Sequence, residues 1–431
     1  MLALLAGLVH AQPYLGTKTP YEPLARSFTA VPAGYQPVFI DYVGRHGARF
    51  LTKAGADVEI MNSLDKAVAL DGVSDIGKRI RWAAGLLREA GNGGYENITL
   101  LGQEEQTAIG ERMREAFGTV FRGRGVEVVT TYKARTQQSA EAFLKGLDRG
   151  AALEPKKFSR AADSLDTVLR FYDLSAGYQR YKKGALSKKC EDSLARDPRT
   201  LSVADAVCGR VLNAGYLSRL SASERVAFAE SLYDLYAISF SMKGEVREEG
   251  VGAALGAAFS AGDLEWLDFT NGASDWLEKG PGFDSMGIQV KIAAPLLLDL
   301  METMDKAVAG SGPDAVLRFT HAEAISPVAA LMGIQGASEP ARSVYGYRSS
   351  GWKAERIIPL SANIQWILYA RKGEDGLVKA LLNEQEVRFS GVAGSGPYYR
   401  WKDLRKHFLR KLEGIGVRPG MDMRRWLAGL K

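Results

Sequence analysis

The sequence predicts an α/β protein in which a β-sheet is flanked by helices and carries a mainly helical inserted domain. Short β-rich runs alternate with helical patterns before about residue 150 and after about residue 285, which is typical of an α/β sheet. Between them, helical periodicity dominates, as in SASERVAFAESLYDLYAISFSMKG. We therefore predict a core formed by residues 12–140 and 285–431, with a helical insertion at 141–284 that covers the substrate.

The first eleven residues have the pattern of a signal peptide. Residues 1–9 are the uncharged apolar run MLALLAGLV, and Val9 and Ala11 stand at the −3 and −1 positions of a small-residue cleavage site. The run is too short to span a bilayer, and no later stretch looks like a transmembrane segment. We therefore predict export to the periplasm or the medium. A buried N-terminal helix is the alternative, because the run lacks a positively charged beginning.

The composition is that of an ordinary globular protein. Of the 431 residues, 46% are hydrophobic and 25% charged, with a formal net charge of +6. This excess is compatible either with simple solubility or with attraction of an anionic ligand. The basic C-terminal run YYRWKDLRKHFLRKL, which includes His407, is not accompanied by a recognised nucleic-acid-binding module. We expect an amphipathic helix with a solvated basic face there, and no nucleic-acid partner.

The two cysteines, Cys190 and Cys208, are separated by 17 residues. In an exported chain, an even number of cysteines favours one disulfide, and two unrelated buried thiols are the alternative. Two cysteines and four histidines without C-x-x-C or H-x-x-x-H spacing do not predict a zinc site. We expect no metal and no other cofactor.

Three β-rich runs end at residues suited to binding an anion. They are PVFIDYV (37–43), VEVVTTY (126–132) and AVLRFT (315–320), and the last two lead into helices predicted from about 136 and about 323. In an open α/β sheet, ligands bind at the carboxyl ends of the strands. Helix N-termini at that edge add N–H donors and the positive end of a dipole. The three junctions therefore predict one anion site.

The first junction, RHGARFLTK (45–53), carries the strongest signal. Arg45 and Arg49 offer planar, permanently charged forks that match phosphate oxygens. His46 between them is a candidate nucleophile, because a neutral imidazole can attack phosphorus. We expect Gly47 to let the backbone approach the ligand closely, and Lys53 to add a further charge.

The residues at the other two junctions are weaker indications of an anion site when taken alone. They become stronger because each follows a β-rich run predicted to end at the same edge of the sheet. Arg135 follows the second run, and His321 and Glu323 follow the third. Glu323 is suited to protonate a leaving oxygen, although a glutamate at a helix N-terminus is commonly only a favourable partner of the dipole. Together with R-H-G-x-R, these residues favour phosphoryl transfer, which consists mostly of positioning and charge neutralisation.

R-H-G-x-R, a mid-domain arginine and a late His-x-acid tripeptide resemble branch 2 of the histidine phosphatase superfamily, the histidine acid phosphatases. The tripeptide H-A-E is similar to the multiple inositol-polyphosphate phosphatase (phytase) subgroup. Other stretches agree with it: LRFYD (169–173), KGPG (279–282), PLSANIQWILYA (359–370) and ALLNEQEV (380–387). The resemblance runs from about 36 to 390 and implies a histidine-phosphatase-like mixed sheet. Phe50-Leu51 departs from the family's frequent aromatic–proline pair.

The resemblance also implies a role for each matching residue. His46 would become phosphorylated, and Glu323 would donate the proton and then activate water. The groups that would clamp the phosphoryl group are Arg45, Arg49, Arg135 and His321, the last of them in protonated form. Thr52 and Lys53 would touch the substrate's other phosphates. Further candidates for such contacts, from the insertion, are Arg180, Lys182 and Lys183.

We therefore predict an enzyme that removes phosphates from inositol hexakisphosphate and lower inositol polyphosphates through a phosphohistidine. The near alternative is a broad acid phosphatase that acts on sugar phosphates or other small monoesters. A more distant alternative is a non-catalytic, exported anion-binding protein, against which the intact His46 and Glu323 argue.

Overall fold

The computed structural model describes residues 14–25, 27–148, 157–160, 166–246, 248–392 and 396–431, with the backbone alone at 157–160. The predicted signal peptide lies outside these residues, so it stays a prediction.

An eight-stranded mixed sheet forms the centre of the molecule. Its strands are β1 Gln36–Arg45, β2 Val126–Thr130, β3 Lys157–Arg160, β4 Ala315–Thr320, β5 Asn363–Ala370, β6 Leu377–Leu382, β7 Gln385–Glu386 and β8 Tyr398–Arg400. The order is β3-β2-β4-β1-β5-β6-β7, and β8 pairs with β6. The neighbours from β3 to β1 are parallel, and those from β1 onward are antiparallel.

Helices make up most of the remaining regular structure. They are α1 Ala56–Val68, α2 Asp75–Gly91, α3 Leu100–Phe117, α4 Ala134–Asp148, α5 Phe171–Leu174, α6 Ala176–Lys182, α7 Ala185–Ala195, α8 Pro198–Val211, α9 Ala214–Leu217, α10 Ala222–Ser239, α11 Val251–Gly256, α12 Ala261–Glu278, α13 Ile288–Lys291, α14 Ala294–Val308, α15 Ala322–Met332, α16 Ala354–Ile357, α17 Trp401–Gly414 and α18 Met423–Gly429. Short 3₁₀ helices span Gly16–Lys18, Gly118–Val120 and Val344–Ser350.

Both faces of the sheet are covered by helices, which explains why its central strands read as continuous apolar runs. Successive residues of β1 alternate between the faces. Phe39 and Val43 pack in one core cluster with α14, α15 and α17. Ile40 and Tyr42 pack in another cluster with α3 and α4. The predicted fold class, a mixed sheet flanked by helices, is confirmed.

A third core cluster is built almost entirely from helices, mainly α1, α2, α8, α10, α11 and α12. Local sequence signals fix several of their ends. Ser221 and Glu224 form a capping box at the start of α10, and Ser260 and Asp263 form another at α12. From α5 to α14, the regular elements are helices. The boundaries 141–284 of the predicted insertion stay a prediction.

The predicted disulfide is wrong. Cys190 and Cys208 are both buried free thiols. Cys190 on α7 packs in the cluster that includes one face of the sheet, whereas Cys208 on α8 packs in the helical cluster. Burial raises the pKa of both thiols, that of Cys208 to about 12, so they remain protonated at neutral pH. An even count of cysteines carries no information about which core each side chain enters.

The C-terminal amphipathic helix is present as α17, but His407 does not belong to its solvated face. The ring of His407 is buried beside Phe408. Burial, helped by Lys411 and Arg410, lowers its pKa to about 4. Among the described residues, no helix combines the length and the apolar character needed to cross a membrane.

Candidate active site

The three predicted junctions meet at one edge of the sheet. Arg45 is in register with Thr320, and Thr130 with Phe319, so β1, β2 and β4 end side by side. The backbone N–H of His46 donates to the carbonyl of Thr320 at 3.0 Å. His321 directly follows β4 as the N-cap of α15, and the ring centroids of His46 and His321 are 5.5 Å apart.

Glycines allow the loop after β1 to pack tightly against α3. A Cβ atom on Gly47 would lie 2.6 Å from the carbonyl oxygen of Gly102, and one on Gly102 would lie 2.1 Å from the carbonyl oxygen of Ala48. The close backbone approach at Gly47 is therefore to a helix of the core, whereas the sequence analysis expected it to be to the ligand. This packing places the backbone of the nucleophile loop, residues 45–49, directly on α3.

A buried carboxylate on α3 holds this loop from behind. Glu105 accepts hydrogen bonds from the backbone N–H of Ala48 at 2.9 Å, the backbone N–H of Tyr21 at 2.8 Å and the hydroxyl of Ser361 at 2.7 Å. Next to it, the Gln106 amide donates to the carbonyl of Arg45 at 3.0 Å. Sequence analysis missed both residues, since in the polar stretch GQEEQ nothing marks which side chains face inward.

His46 is held as a neutral imidazole whose Nε2 is unprotonated. Its Nδ1 lies 2.9 Å from the carbonyl oxygen of Gly47. Because a carbonyl oxygen only accepts, Nδ1 carries the hydrogen, and the lone pair is on Nε2. Burial, followed by the charges of Arg45 and Arg135, keeps the pKa of His46 well below its usual value. The ring is therefore in the form that can attack an electrophile.

Arginine side chains place buried N–H donors around His46 and His321. Arg45 is fixed by the carbonyls of Thr17 at 2.7 Å and Ile358 at 2.6 Å, and Arg49 donates to the carbonyl of Phe50 at 2.8 Å. Within the described part of the chain, several buried guanidinium nitrogens lack a hydrogen-bond partner. Those around the two histidines are Nε of Arg45, Arg49, Arg135 and Arg170 and one terminal nitrogen of Arg135, which lies 3.8 Å from a carboxylate oxygen of Glu96. Unpaired buried donors of this kind are suited to phosphate oxygens.

An arginine side chain lies close to each ring nitrogen of His321. A terminal nitrogen of Arg135 lies 3.2 Å from Nδ1, and one of Arg170 lies 3.1 Å from Nε2. The hydroxyl of Thr131 also lies 3.1 Å from Nε2. Guanidinium groups only donate, and a neutral imidazole has a single acceptor nitrogen, so one of the two arginines can hydrogen-bond a neutral ring and neither can bond a protonated one. Burial, then Arg135, lowers the pKa of His321 well below its usual value. This geometry favours a neutral ring, in contrast to the protonated His321 that we expected.

Arg170 is a site residue that sequence analysis did not select. Its guanidinium lies between the rings of Tyr132 and Tyr172, 4.9 and 5.3 Å from their centroids. It also pairs with Asp173 at 2.5 Å. The available signal was an arginine inside LRFYD, a stretch noticed only for its family resemblance.

Glu323 lies in the first turn of α15 with 35% of its side chain exposed, and its Oε1 is 3.9 Å from Nζ of Lys279. Burial alone would raise the pKa of Glu323, but the positive charge of Lys279 is the largest of the effects that outweigh it and lower the pKa to about 2. Lys279 also forms an ion pair with Asp275. Sequence analysis noted KGPG without giving Lys279 a role.

The residues predicted to touch other phosphates lie on the surface or are already paired. Thr52, Lys53, Arg180 and Lys183 are exposed. Lys182 forms an ion pair with Glu278 at 3.1 Å, the neighbour of Lys279 in the chain. The substrate contacts of these five residues stay a prediction.

The predicted resemblance to branch 2 of the histidine phosphatase superfamily is confirmed, since a model of that family matches part of the chain. The family's model matches residues 39–174, which include R-H-G-x-R, Arg135 and Arg170. The chain is therefore an enzyme, a phosphatase of the histidine acid phosphatase type.

The chain is also similar to proteins of the multiple inositol polyphosphate phosphatase subgroup, as its H-A-E tripeptide indicated. It is 24% identical over 421 residues to "Multiple inositol polyphosphate phosphatase 1" of Gallus gallus, covering 87% of this chain and 85% of that protein. The Homo sapiens protein of the same name is 23% identical over 450 residues, covering 92% and 86%. The Bifidobacterium longum multiple inositol polyphosphate phosphatase, crystallised with inositol hexasulfate, has the same fold, with a TM-score of 0.83, 23% identity and coverage of 92% and 97%.

Proposed function

We propose that this enzyme removes phosphates from inositol hexakisphosphate and lower inositol polyphosphates through a phosphohistidine at His46. The observation that carries the proposal is a neutral imidazole with an unprotonated Nε2 inside a cluster of guanidinium groups that have unpaired buried donors. The substrate class is supported by the names of the relatives and by the hexasulfate ligand of the Bifidobacterium longum enzyme.

In the first step, Nε2 of His46 attacks phosphorus while the bond from phosphorus to the ester oxygen breaks. The guanidinium groups neutralise charge on the non-bridging oxygens as the phosphoryl group moves. The leaving oxygen takes a proton from the carboxylic acid of Glu323, and the products are an alcohol and the phosphorylated histidine.

A proton donor must hold its proton, yet the pKa of Glu323 is about 2 among these cations. Binding of a phosphoryl dianion places two negative charges beside the same cations. This opposes their effect, so the pKa of Glu323 rises in the complex. The positive cluster therefore has two effects. It attracts the dianion, and the bound dianion then raises the pKa of Glu323 so that the carboxyl can hold a proton.

In the second step, water attacks phosphorus and gives a proton to the Glu323 carboxylate. The bond between phosphorus and Nε2 breaks, His46 returns to its neutral form, and inorganic phosphate leaves. Glu323 has thereby recovered the proton that it gave up in the first step.

His46→Ala tests the proposal by phosphate release from inositol hexakisphosphate and, separately, from glucose 1-phosphate. We expect the wild-type protein to prefer inositol hexakisphosphate in kcat/KM and to form an acid-labile, base-stable phosphoenzyme. We expect His46→Ala to lose turnover and labelling while still binding inositol hexasulfate. A preference for glucose 1-phosphate would favour the broad acid phosphatase. Tight binding without any turnover by the wild-type protein would favour an anion-binding protein.

We also propose that the enzyme is exported, to the periplasm or the medium. The support is the apolar run before Ala11 and its small-residue cleavage pattern. N-terminal sequencing of the mature protein is expected to begin at Gln12, and a cytoplasmic protein that retains residues 1–11 would contradict this.

A further inference from the structure

We infer that Lys279 is a positioning residue of this reaction, whose ammonium group orients the Glu323 carboxyl and sets the pH range over which that carboxyl delivers its proton. The inference rests on the proposed function. It assigns a role to a residue that contacts the general acid rather than the phosphoryl group.

The position of Lys279 is fixed by its backbone. Lys279 is the C-cap of α12, and the chain turns directly after it, since a Cβ atom on Gly280 would lie 2.8 Å from the carbonyl oxygen of Trp276. Gly282 follows at a φ of +57°. The KGPG stretch thus ends the helix and aims the lysine at the first turn of α15.

The ammonium of Lys279 bridges two carboxylates in a mostly buried setting. Only 13% of the Lys279 side chain and 14% of the Asp275 side chain are exposed. Asp275, one turn earlier in α12, pairs with it directly, whereas Oε1 of Glu323 stands 3.9 Å away. Asp275 therefore anchors the ammonium. Glu323 is close enough to experience its charge and remains free to exchange a proton with substrate or water.

Other charged and titratable groups also act on Glu323. They come from its own junction, the nucleophile loop, α4, α5 and α6, and are His321, Arg45, Arg49, Arg135, Tyr172 and Tyr178. In the substrate complex, the guanidinium groups turn their donors to the phosphoryl oxygens. Lys279 is then the cation that acts chiefly on the carboxyl itself, because its position is set by Asp275.

The sign of the effect follows from the role of Glu323 as acid. A positive charge about 4 to 6 Å away lowers a carboxyl pKa by roughly 1 to 3 units. Removing the charge of Lys279 raises the pKa of Glu323, so the protonated acid persists to higher pH. The falling limb of kcat/KM, which reports groups of the free enzyme, moves to higher pH.

The test compares Lys279→Met with the wild type by the ratio of their kcat/KM values across pH, with inositol hexakisphosphate as substrate. Substrate titration cancels in that ratio. We expect the falling limb of kcat/KM in Lys279→Met to lie about 1 to 3 pH units above that of the wild type. Lys279→Arg should return the limb to its wild-type position. The matched control is Lys188→Met, which removes an exposed lysine on α7. With p-nitrophenyl phosphate, whose leaving group needs little protonation, the displacement should shrink.

Several outcomes would overturn the inference while leaving the proposed function intact. One is a Lys279→Met enzyme that is weaker by the same factor at every pH, with the loss confined to KM, since this is the behaviour of a plain substrate contact. Another is a further displacement of the limb by Lys279→Met in a Glu323→Gln background, where the titrating carboxyl is gone. Should Lys279→Met fail to fold, Lys279→Gln is measured in its place. Failure of the wild-type enzyme to release phosphate would instead refute the proposed function.

Discussion

Replacing Glu105 tests whether one buried carboxylate holds the nucleophile loop in place. Its Oε2 accepts from Ala48 N–H and the Ser361 hydroxyl, and its Oε1 accepts from Tyr21 N–H. In Glu105→Gln, an amide NH₂ replaces one of these oxygens. In the better of the two orientations it faces only Tyr21 N–H, which leaves one buried donor unpaired.

The expected loss for Glu105→Gln is about 1–3 kcal/mol in the free energy of unfolding, the usual cost of an unpaired buried donor. The lower cost of burying a neutral amide offsets part of it. Glu105→Ala removes all three acceptors, and we expect at least about 3 kcal/mol. Because Ala48 lies two residues from His46, we also expect kcat to fall by roughly 100-fold in Glu105→Ala, as for a misplacement of about 1 Å.

Denaturant unfolding and steady-state phosphate release measure these two effects. The control is Glu104→Gln, an exposed neighbour on the same helix, which we expect to stay within about 0.5 kcal/mol of the wild type. A folded Glu105→Ala enzyme with wild-type kcat would refute the reasoning, because the loop would then be held without this carboxylate.

Two further predictions concern Arg170, beside His321, and His407 on α17. Arg170→Gln removes a guanidinium beside His321; we expect kcat to fall by about 10²- to 10³-fold, and a drop confined to KM would show that Arg170 only binds substrate. His407 has a pKa lowered to about 4 in the folded protein, against about 6.5 unfolded. The unfolded chain therefore binds more protons between these values, and stability falls as pH drops through this window, by up to about 3 kcal/mol. Urea unfolding at pH 7 and pH 5 should show a smaller difference in His407→Gln, and an unchanged difference would contradict the assignment.

Much of the sheet could be predicted because its central strands are apolar runs that stop at polar residues. The run predicted at 315–320 is the observed β4, and the run at 37–43 lies within β1. The stretch 359–370, quoted above for its family resemblance, becomes a strand only at Asn363. Ser361 has a φ of +57°, which is incompatible with a strand. Its hydroxyl bonds Glu105 and its N–H bonds the carbonyl of His46. The sequence does not show these distant partners.

The site residues could be predicted where they are neighbours in the sequence. They could not be predicted where separate helices bring them together. R-H-G-x-R stands in one segment at the end of a strand, so its side chains must share an edge. Arg170, Lys279 and Glu105 reach the site or its support from the start of α5, the end of α12 and α3, respectively. In the sequence they look like ordinary surface charges, since burial and partner choice are properties of the tertiary packing. The disulfide expectation failed for the same reason.

The electrostatics of the site join substrate binding to acid catalysis. Burial and the cluster of guanidinium groups lower the pKa of His46, which keeps the proposed nucleophile neutral, and cations also lower the pKa of Glu323, which leaves the proposed acid without its proton. A neutral ligand would leave the pKa of Glu323 low. A phosphoryl dianion cancels much of it at the moment of binding, and extra phosphates nearby on the same substrate add to the cancellation. We therefore expect a polyphosphorylated substrate to raise the pKa of Glu323 more than a small monoester does. The effect comes from its charge and needs no additional contact to Glu323.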